Sequence, residues 1–286
     1  MAIRYPIVAG MFYPGDKASC RRQLEECLQG AQAVDVPQPI LGGVVPHAGW
    51  TYSGPTAGRV FAAIQAQGAP ETFVLFGAVH SWGVSGASVY SAGSWRTPLG
   101  DLAIDEELAQ EALKVSSLLA DRPQAHSEEH SIEVQLPFIQ HLFPSARILP
   151  IAVPPLTEAP EVGREMARAV RQLGRKAVAV GSSDLTHYGP RYGMAPVGVG
   201  ERALEWTKQN DARLLDLVAA LRAPEVLAEA RAHHNACGAG AIAAAIGFAS
   251  ELGASKGVLL QYTTSHEVLP MGRPSDFVGY GAVVFI

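Results

Sequence analysis

The sequence predicts an α/β fold in a single domain over residues 1–286, with a central mostly parallel or mixed β-sheet covered by helices. Short apolar runs of strand length alternate with longer stretches of helical period. Loops containing Gly or Pro separate them. No linker, low-complexity tract or fixed-period repeat divides the chain. With 286 residues, a compact chain needs no disulfide or metal staple to hold its core, because it buries roughly 75% of the surface that its unfolded form exposes.

The elements follow in order. Arg4 to Gly15 is an irregular lead-in, punctuated by Pro6, Gly10, Pro14 and Gly15. Residues 16–30 read as a helix capped by Asp16, with Cys20, Leu24, Cys27 and Leu28 on one face. The two cysteines on that face are read as core packing. Ile40 to Val45 is a strand-like run leading into Pro46-His47-Ala48-Gly49, and a helix is expected from near Pro55 through Ala66. Phe73 to Phe76 is a second buried strand, ending in Gly77-Ala78-Val79-His80. Residues 84–104 alternate weakly and predict shorter strands and turns. Helices are expected at 105–119 and 128–142, a strand from Arg147 to Val153, and a helix at 160–173. Ala177 to Val180 is a strand entering Gly181-Ser182-Ser183-Asp184-Leu185-Thr186-His187. Helices near 201–221, 224–232 and 237–251 follow, then closing strands at Val258–Tyr262 and Val278–Phe285.

Composition excludes several function classes. A net charge of −5 with no basic block or aromatic-plus-basic stripe argues against nucleic acid. The longest apolar stretch, Cys237 to Ala249, is too short to span a bilayer, so no membrane partner is expected. Met1-Ala2-Ile3-Arg4-Tyr5-Pro6 lacks the apolar core of a signal peptide. An odd set of three cysteines argues against a disulfide framework. A reducing cytoplasm is the expected location.

Three apolar runs each lead through a short loop to a histidine: His47, His80 and His187. In open α/β sheets, loops at the carboxyl ends of strands converge, so these imidazoles are expected to share one pocket although far apart in sequence. Imidazole suits iron, copper, zinc or nickel. Asp184, three residues before His187, has three readings: it orients an imidazole, ligates a metal, or merely caps a turn. His126, Glu128, Glu129, His130 and Glu133 form a second polar cluster. There, His130 and Glu133, and Glu129 and Glu133, are expected to share a helical face, which either supports the pocket through hydrogen bonds to its ligands or is a solvated helix start; the second is favoured for Glu128 and Glu129. Cys237 precedes a helix whose dipole can stabilise a thiolate, but local sequence alone favours a buried inert residue. No G-x-S-x-G elbow, Walker loop, H-E-x-x-H or C-x-x-C occurs, and Gly198 with Gly200 is only a fragment of a dinucleotide fingerprint.

Together these motifs resemble a known family. Val8-Ala9-Gly10-Met11-Phe12-Tyr13-Pro14, Pro46-His47-Ala48-Gly49-Trp50-Thr51-Tyr52-Ser53-Gly54 and Phe76-Gly77-Ala78-Val79-His80 are similar to segments of MEMO proteins. So are Arg96-Thr97-Pro98-Leu99-Gly100, Glu129-His130-Ser131-Ile132-Glu133, Ser182-Ser183-Asp184-Leu185-Thr186-His187-Tyr188-Gly189 and Asn235-Ala236-Cys237-Gly238. They occur in the family's order. One departure is Ala78-Val79, where many relatives carry Pro-Ser.

The prokaryotic members are called AmmeMemoRadiSam system protein B, and the family resembles LigB-like (class III) extradiol dioxygenases in fold. The resemblance implies a single metal ion, iron or copper with zinc as a further option, held by His47, His80 and Cys237. It implies His187 as acid/base, with Asp184 beside it. Cys237 would stand where the dioxygenases use a glutamate, and a thiolate favours softer ions. The resemblance implies a metal-dependent oxidoreductase of unknown substrate, and AMMECR1-type and radical-SAM proteins as partners. Two other readings stay open. Animal MEMO proteins are associated with phosphotyrosine-peptide binding, which implies a non-catalytic adaptor; the arginines suited to phosphate, Arg96, Arg191 and Arg273, are scattered in sequence. The same ligand set also suits a zinc hydrolase.

Overall fold

A computed structural model describes residues 2–31, 36, 39–81 and 83–286. In chain order the elements begin β1 (Ile3–Arg4), α1 (Lys17–Gln29), β2 (Gly42–Val45), α2 (Trp50–Ala66), β3 (Thr72–Gly77), β4 (Ala87–Val89), β5 (Ser94–Thr97) and β6 (Gly100–Ala103). Then come α3 (Glu106–Val115), β7 (Leu119–Asp121), α4 (Leu136–Leu142), β8 (Arg147–Ala152), α5 (Ala159–Gln172), β9 (Ala177–Ser182) and β10 (His187–Tyr188). The chain closes with α6 (Glu201–Ala219), α7 (Ala223–His233), α8 (Ala239–Leu252), β11 (Gly257–Thr264), α9 (Ser265–Val268) and β12 (Phe277–Phe285).

The main sheet is mixed. Its centre is parallel, in the order β2-β9-β3-β8. On one side β12 pairs antiparallel with β2 and carries both β10 and β11; on the other, β4 pairs antiparallel with β8 and carries β7. β3 and β9 are buried at every residue, which is why both read as unbroken apolar runs rather than alternating ones. β1, β5 and β6 form a separate three-stranded sheet.

Helices cover both faces, and β2 shows how. Adjacent strand residues point to opposite faces. A Cβ on Gly42 would meet Ala249 of α8 at 3.4 Å, and one on Gly43 would meet Val60 of α2 at 3.1 Å. α8 therefore lies on one face, with α5 packed against it, and α2 lies on the other with α1 and α4. One continuous apolar core joins these layers into a single α/β domain.

Most expected elements are present, with shifted ends. Asp16 caps α1 through Ser19, and Cys20, Leu24 and Cys27 are buried in the core. α2 begins at Trp50 rather than near Pro55, which lies inside it and costs one ladder bond. The helix expected at 105–119 ends at Val115, because Leu119–Asp121 leaves to pair with β4. The helix expected at 128–142 survives only as a 3₁₀ turn at Glu133–Gln135 and α4. Its first turn fails because the Glu129 carboxylate takes the amide of Ser131, a local bond that competes with the helical ladder.

Glu133 ties down the irregular lead-in. Its carboxylate pairs with Arg4 at 2.7 Å and accepts from the amides of Ile7 and Val8 and from the Tyr13 hydroxyl. The Arg4 guanidinium also lies 4.1 Å from the Trp95 ring centre. This folds the segment back so that Phe12 O accepts from the Trp50 amide, bringing Phe12 to the edge of the site described next. His130 and Glu133, expected on one face, thus do different things: Glu133 is buried in this staple, while His130 faces a cavity.

Candidate metal centre

The parallel strands deliver their carboxyl ends to one edge of the sheet. His47 follows β2, His80 follows β3, and Asp184 follows β9, with His187 opening β10. His47, His80, Asp184 and His187 line one cavity of about 740 Å³. The strand-end histidines meet, as the sequence predicts.

His47 is the centre of the cluster. It is buried, with its amide donating to Asp184 Oδ1 at 2.7 Å and Nδ1 3.1 Å from Ser182 Oγ. The first fixes the backbone and the second the ring, so that Nε2 faces Cys237 Sγ at 3.2 Å. Its ring centre lies 5.2 Å from that of His80 and 5.4 Å from that of His130. His80 is more exposed, and Glu129 fixes it twice: the carboxylate accepts the His80 amide at 2.8 Å and lies 3.1 Å from Nδ1. That leaves Nε2 as the atom available to the cavity.

His130 stacks on His80 with ring centres 5.0 Å apart. One ring nitrogen from each of His47, His80 and His130 falls within a mutual 4.8 Å, a group able to hold a metal ion. Sequence reasoning gave His130 only a supporting part and took Glu129 for a solvated residue. Glu129 is in fact 1% exposed, because it lies beneath the His80 loop. Glu128, its neighbour, is exposed as expected.

Cys237 is placed by close approach of α8 to β9. A Cβ on Gly238 would collide with Ser182 O, so only glycine lets the helix start come this near the sheet. The Cys237 amide then donates to Asp184 O at 3.2 Å, and Gly238 N donates to Ser183 Oγ at 2.9 Å.

The charges are strongly coupled. Burial pushes the Cys237 thiol up, but the imidazolium of His47 outweighs it and the thiol falls to about 6. Burial pushes His47 down, and the Cys237 thiolate and Asp184 raise it to about 9. His80 is likewise disfavoured as a cation by burial, yet Cys237 and Glu129 raise it to about 10. Burial, then the charge of His47, lowers His130 to about 4, so it is a neutral donor at neutral pH. Cys237, Asp184 and Glu129 thus surround a place that demands positive charge. Protons on His47 and His80 meet that demand, and a cation would displace them.

Asp184 does two jobs. Oδ1 accepts the amides of His47 and Ala48, and Oδ2 lies 3.8 Å from His187 Nε2. Burial would raise Asp184, but His47 and His187 hold it below the usual carboxylate range. In return, Asp184 raises His187 against the opposing effect of burial. Tyr192 stacks on His187, ring centres 5.2 Å apart.

Beneath this loop lies Asp211 of α6, which the sequence did not single out. Its Oδ1 accepts Thr186 N at 3.0 Å and Thr186 Oγ1 at 2.5 Å, and Oδ2 accepts Tyr262 OH at 2.8 Å. Gly279 makes room, since a Cβ there would overlap the Asp211 carboxylate. No basic side chain pairs with it among the described residues, and burial raises its pKa to about 6. Asp211→Ala is expected to cost about 3 kcal/mol, because it strands three buried donors. Asp211→Asn should fold, with Tyr262 OH turning to accept from the amide. A raised folded pKa means that this carboxyl's contribution is full below about pH 4 and lost as pH rises through about 6. Urea midpoints across that range should show this slope in wild type and a flatter one in Asp211→Asn; parallel curves would reject it.

Three further histidines lie elsewhere. His126 is buried against Ser88 O at 2.9 Å between Tyr90 and Trp95, and burial lowers it to about 4. His233 and His234 are exposed at the end of α7. Arg96 pairs with Asp101 at 2.7 Å, whereas Arg191 and Arg273 both line the metal-site cavity.

Residues 4–284 match the family model described as Memo-like protein. The chain is 40% identical over 296 residues to a MEMO1 family protein of Thermococcus onnurineus, covering 99% of each chain. It is 37% identical over 286 residues to one from Methanococcoides burtonii, again covering 99% of each. A third, from Pyrobaculum arsenaticum, is 35% identical over 296 residues, covering 100% of this chain and 99% of that one.

Proposed function

The chain belongs to the Memo-like family, and from that premise we propose that it is a metal-dependent redox enzyme related to LigB-like extradiol dioxygenases. A single iron or copper ion would be held by His47, His80 and Cys237, within one domain spanning residues 1–286. The observation that carries this reading is the meeting of the His47, His80 and His130 nitrogens within 4.8 Å, with Cys237 Sγ 3.2 Å from His47 Nε2, at the wall of an open cavity.

The donor set fits such an ion. Two imidazoles, a thiol lowered to about 6 and a neutral third imidazole are ligands for soft or borderline metals. The bound ion would supply electron transfer to and from a ligand in the cavity. The chain's own part is positional and protic. Glu129 and Ser182 fix the two ring orientations. His187, with Asp184 behind it, holds a proton at the cavity wall and can give or take it near neutrality. Asp184 has one oxygen on backbone amides and the other toward His187, which favours alignment over ligation. By family resemblance, AMMECR1-type and radical-SAM proteins would be partners in the cytoplasm.

Anaerobic metal analysis of wild type and Cys237→Ala, followed by oxygen uptake with a panel of catechols, tests the reading. One iron or copper per chain is expected, largely lost in the variant. Unchanged metal in Cys237→Ala would put His130 in the thiolate's place. Zinc without oxygen uptake, but with hydrolytic turnover, would overturn the redox reading.

Glu129 gives a separate prediction. Glu129→Gln keeps the size but loses the charge that holds His80 Nδ1, and should weaken metal affinity about 10- to 100-fold in a chelator competition. Wild-type affinity in that variant would mean that His80 is not a ligand.

A further inference from the structure

Two polar residues in the middle of α6 run against what a helix interior favours. Asn210 and Asp211 are adjacent, both are 0% exposed, and both belong to the poorer helix formers. A buried amide or carboxylate is tolerated where its hydrogen bonds are made. Asp211 makes them to Thr186 and Tyr262. Asn210 reaches two separate turns at once.

Its Nδ2 donates to Thr186 Oγ1 at 2.9 Å and to the His233 carbonyl at 3.1 Å, which uses both of its hydrogens. Thr186 is the residue before His187. His233 opens the short turn that leads to Cys237. That turn is held a second time, because Asn235 Nδ2 donates to the Asn210 carbonyl at 2.8 Å and to Glu229 Oε1 at 3.1 Å. Arg213 donates in turn to Glu229 at 2.9 Å and to Asn210 Oδ1. The turn has reason to be held. His234, between the two bonded residues, is left-handed with φ 51° and ψ 40°, a conformation uncommon for any residue but glycine.

We propose that Asn210 is a positioning residue that couples these two turns, so that His187 and Cys237 are set by one side chain and shift together. The Thr186 hydroxyl completes the link, since it accepts from Asn210 and donates to Asp211. A change at either turn is therefore passed through the Asn210 amide to the other. The chemical consequence rests on the metal-enzyme reading, which gives His187 and Cys237 their roles. The coupling itself belongs to the metal-free chain.

The test follows backbone amide exchange by NMR in the metal-free full chain. The His234 amide, bonded to Ala230 O at 2.9 Å, reports the Cys237 turn, and the Thr186 amide reports the His187 turn. Thr186→Val keeps the shape and loses the hydroxyl. It should speed exchange at His234 about fivefold, the worth of one hydrogen bond, with β3 amides changing less. Thr186→Ser, which keeps the hydroxyl, should restore the wild-type rate. In an Asn210→Leu background, Thr186→Val should add nothing further at His234. Asn235→Ala, which needs no change at Asn210, should speed exchange at the Thr186 amide in return. A wild-type rate at His234 in Thr186→Val overturns the coupling, as does an equal rise in β3. So does an effect that persists in Asn210→Leu, or a Thr186 amide untouched by Asn235→Ala. A sulfur-to-metal band in the cobalt(II) form of wild type should weaken in Asn210→Leu. Its absence from wild type rejects Cys237 as a ligand, and the exchange rates still decide the coupling.

Discussion

His47→Ala protein should come out of purification essentially without metal, its affinity down by more than about 100-fold. Removing a residue that only orients a ligand costs roughly 10- to 100-fold, and His47 is placed to be the ligand itself. Its Nε2 is within 3.2 Å of Cys237 Sγ, and its ring lies edge-on to both His80 and His130, so every other donor in the group is counted from it. A second readout needs no metal. His47 is the main influence that brings the Cys237 thiol down to about 6. Without it burial dominates, the thiol stays protonated at neutral pH, and alkylation by iodoacetamide slows. The fold should tolerate the change, since Asp184 holds the backbone amide at position 47 and not the ring. Full metal occupancy, or an unchanged alkylation rate, would remove His47 from the centre.

Gly163→Ala carries the largest expected effect on stability, and its sign runs against local preference. Within a helix, replacing Gly by Ala normally gains about 1 kcal/mol. Gly163 lies where α5 crosses α8, and a Cβ there would overlap the Ala244 carbonyl oxygen and lie 2.7 Å from Phe248 N. Both obstacles are backbone, so no side chain can swing away. The helices must separate, which costs about 3 kcal/mol or more and reverses the propensity gain. The midpoint of thermal unfolding should fall by roughly 6–10 °C. A rise instead would mean that α5 and α8 can part cheaply. Gly247 meets Pro160 of α5 in the same way, so the small residues of α8 act as one surface.

What the sequence made legible follows from how far each cause extends along the chain. β3 and β9 were readable because burial on both faces leaves an unbroken apolar run. The histidines and Asp184 were readable because each comes just after such a run, and position relative to a strand end is a local property. Glu129 was misread because Ser127-Glu128-Glu129 looks like the start of a solvated helix. Its burial comes from the His80 loop, 49 residues away. Asp211 was passed over for the same reason: a mid-helix aspartate on an amphipathic helix looks exposed. Only Thr186 and Tyr262, 25 and 51 residues distant, make it a buried clamp. Cys237 stands between these cases. Its neighbours suggest core packing, and only resemblance or tertiary structure brings it to His47.

The placement of β2 has a consequence for how the centre comes into being. The strand that delivers His47 is hydrogen-bonded on one side to β9 and on the other to β12, the last strand in chain order. Cys237 and His47 are 190 residues apart. With Cys237 as a ligand, as proposed, an early folding fragment holds only part of the donor set, which is completed when segments 190 residues apart have met, a slow, late step. On that reading, full-strength metal binding would record completed folding, and a nascent chain still lacking Cys237 would hold metal more weakly than the finished one.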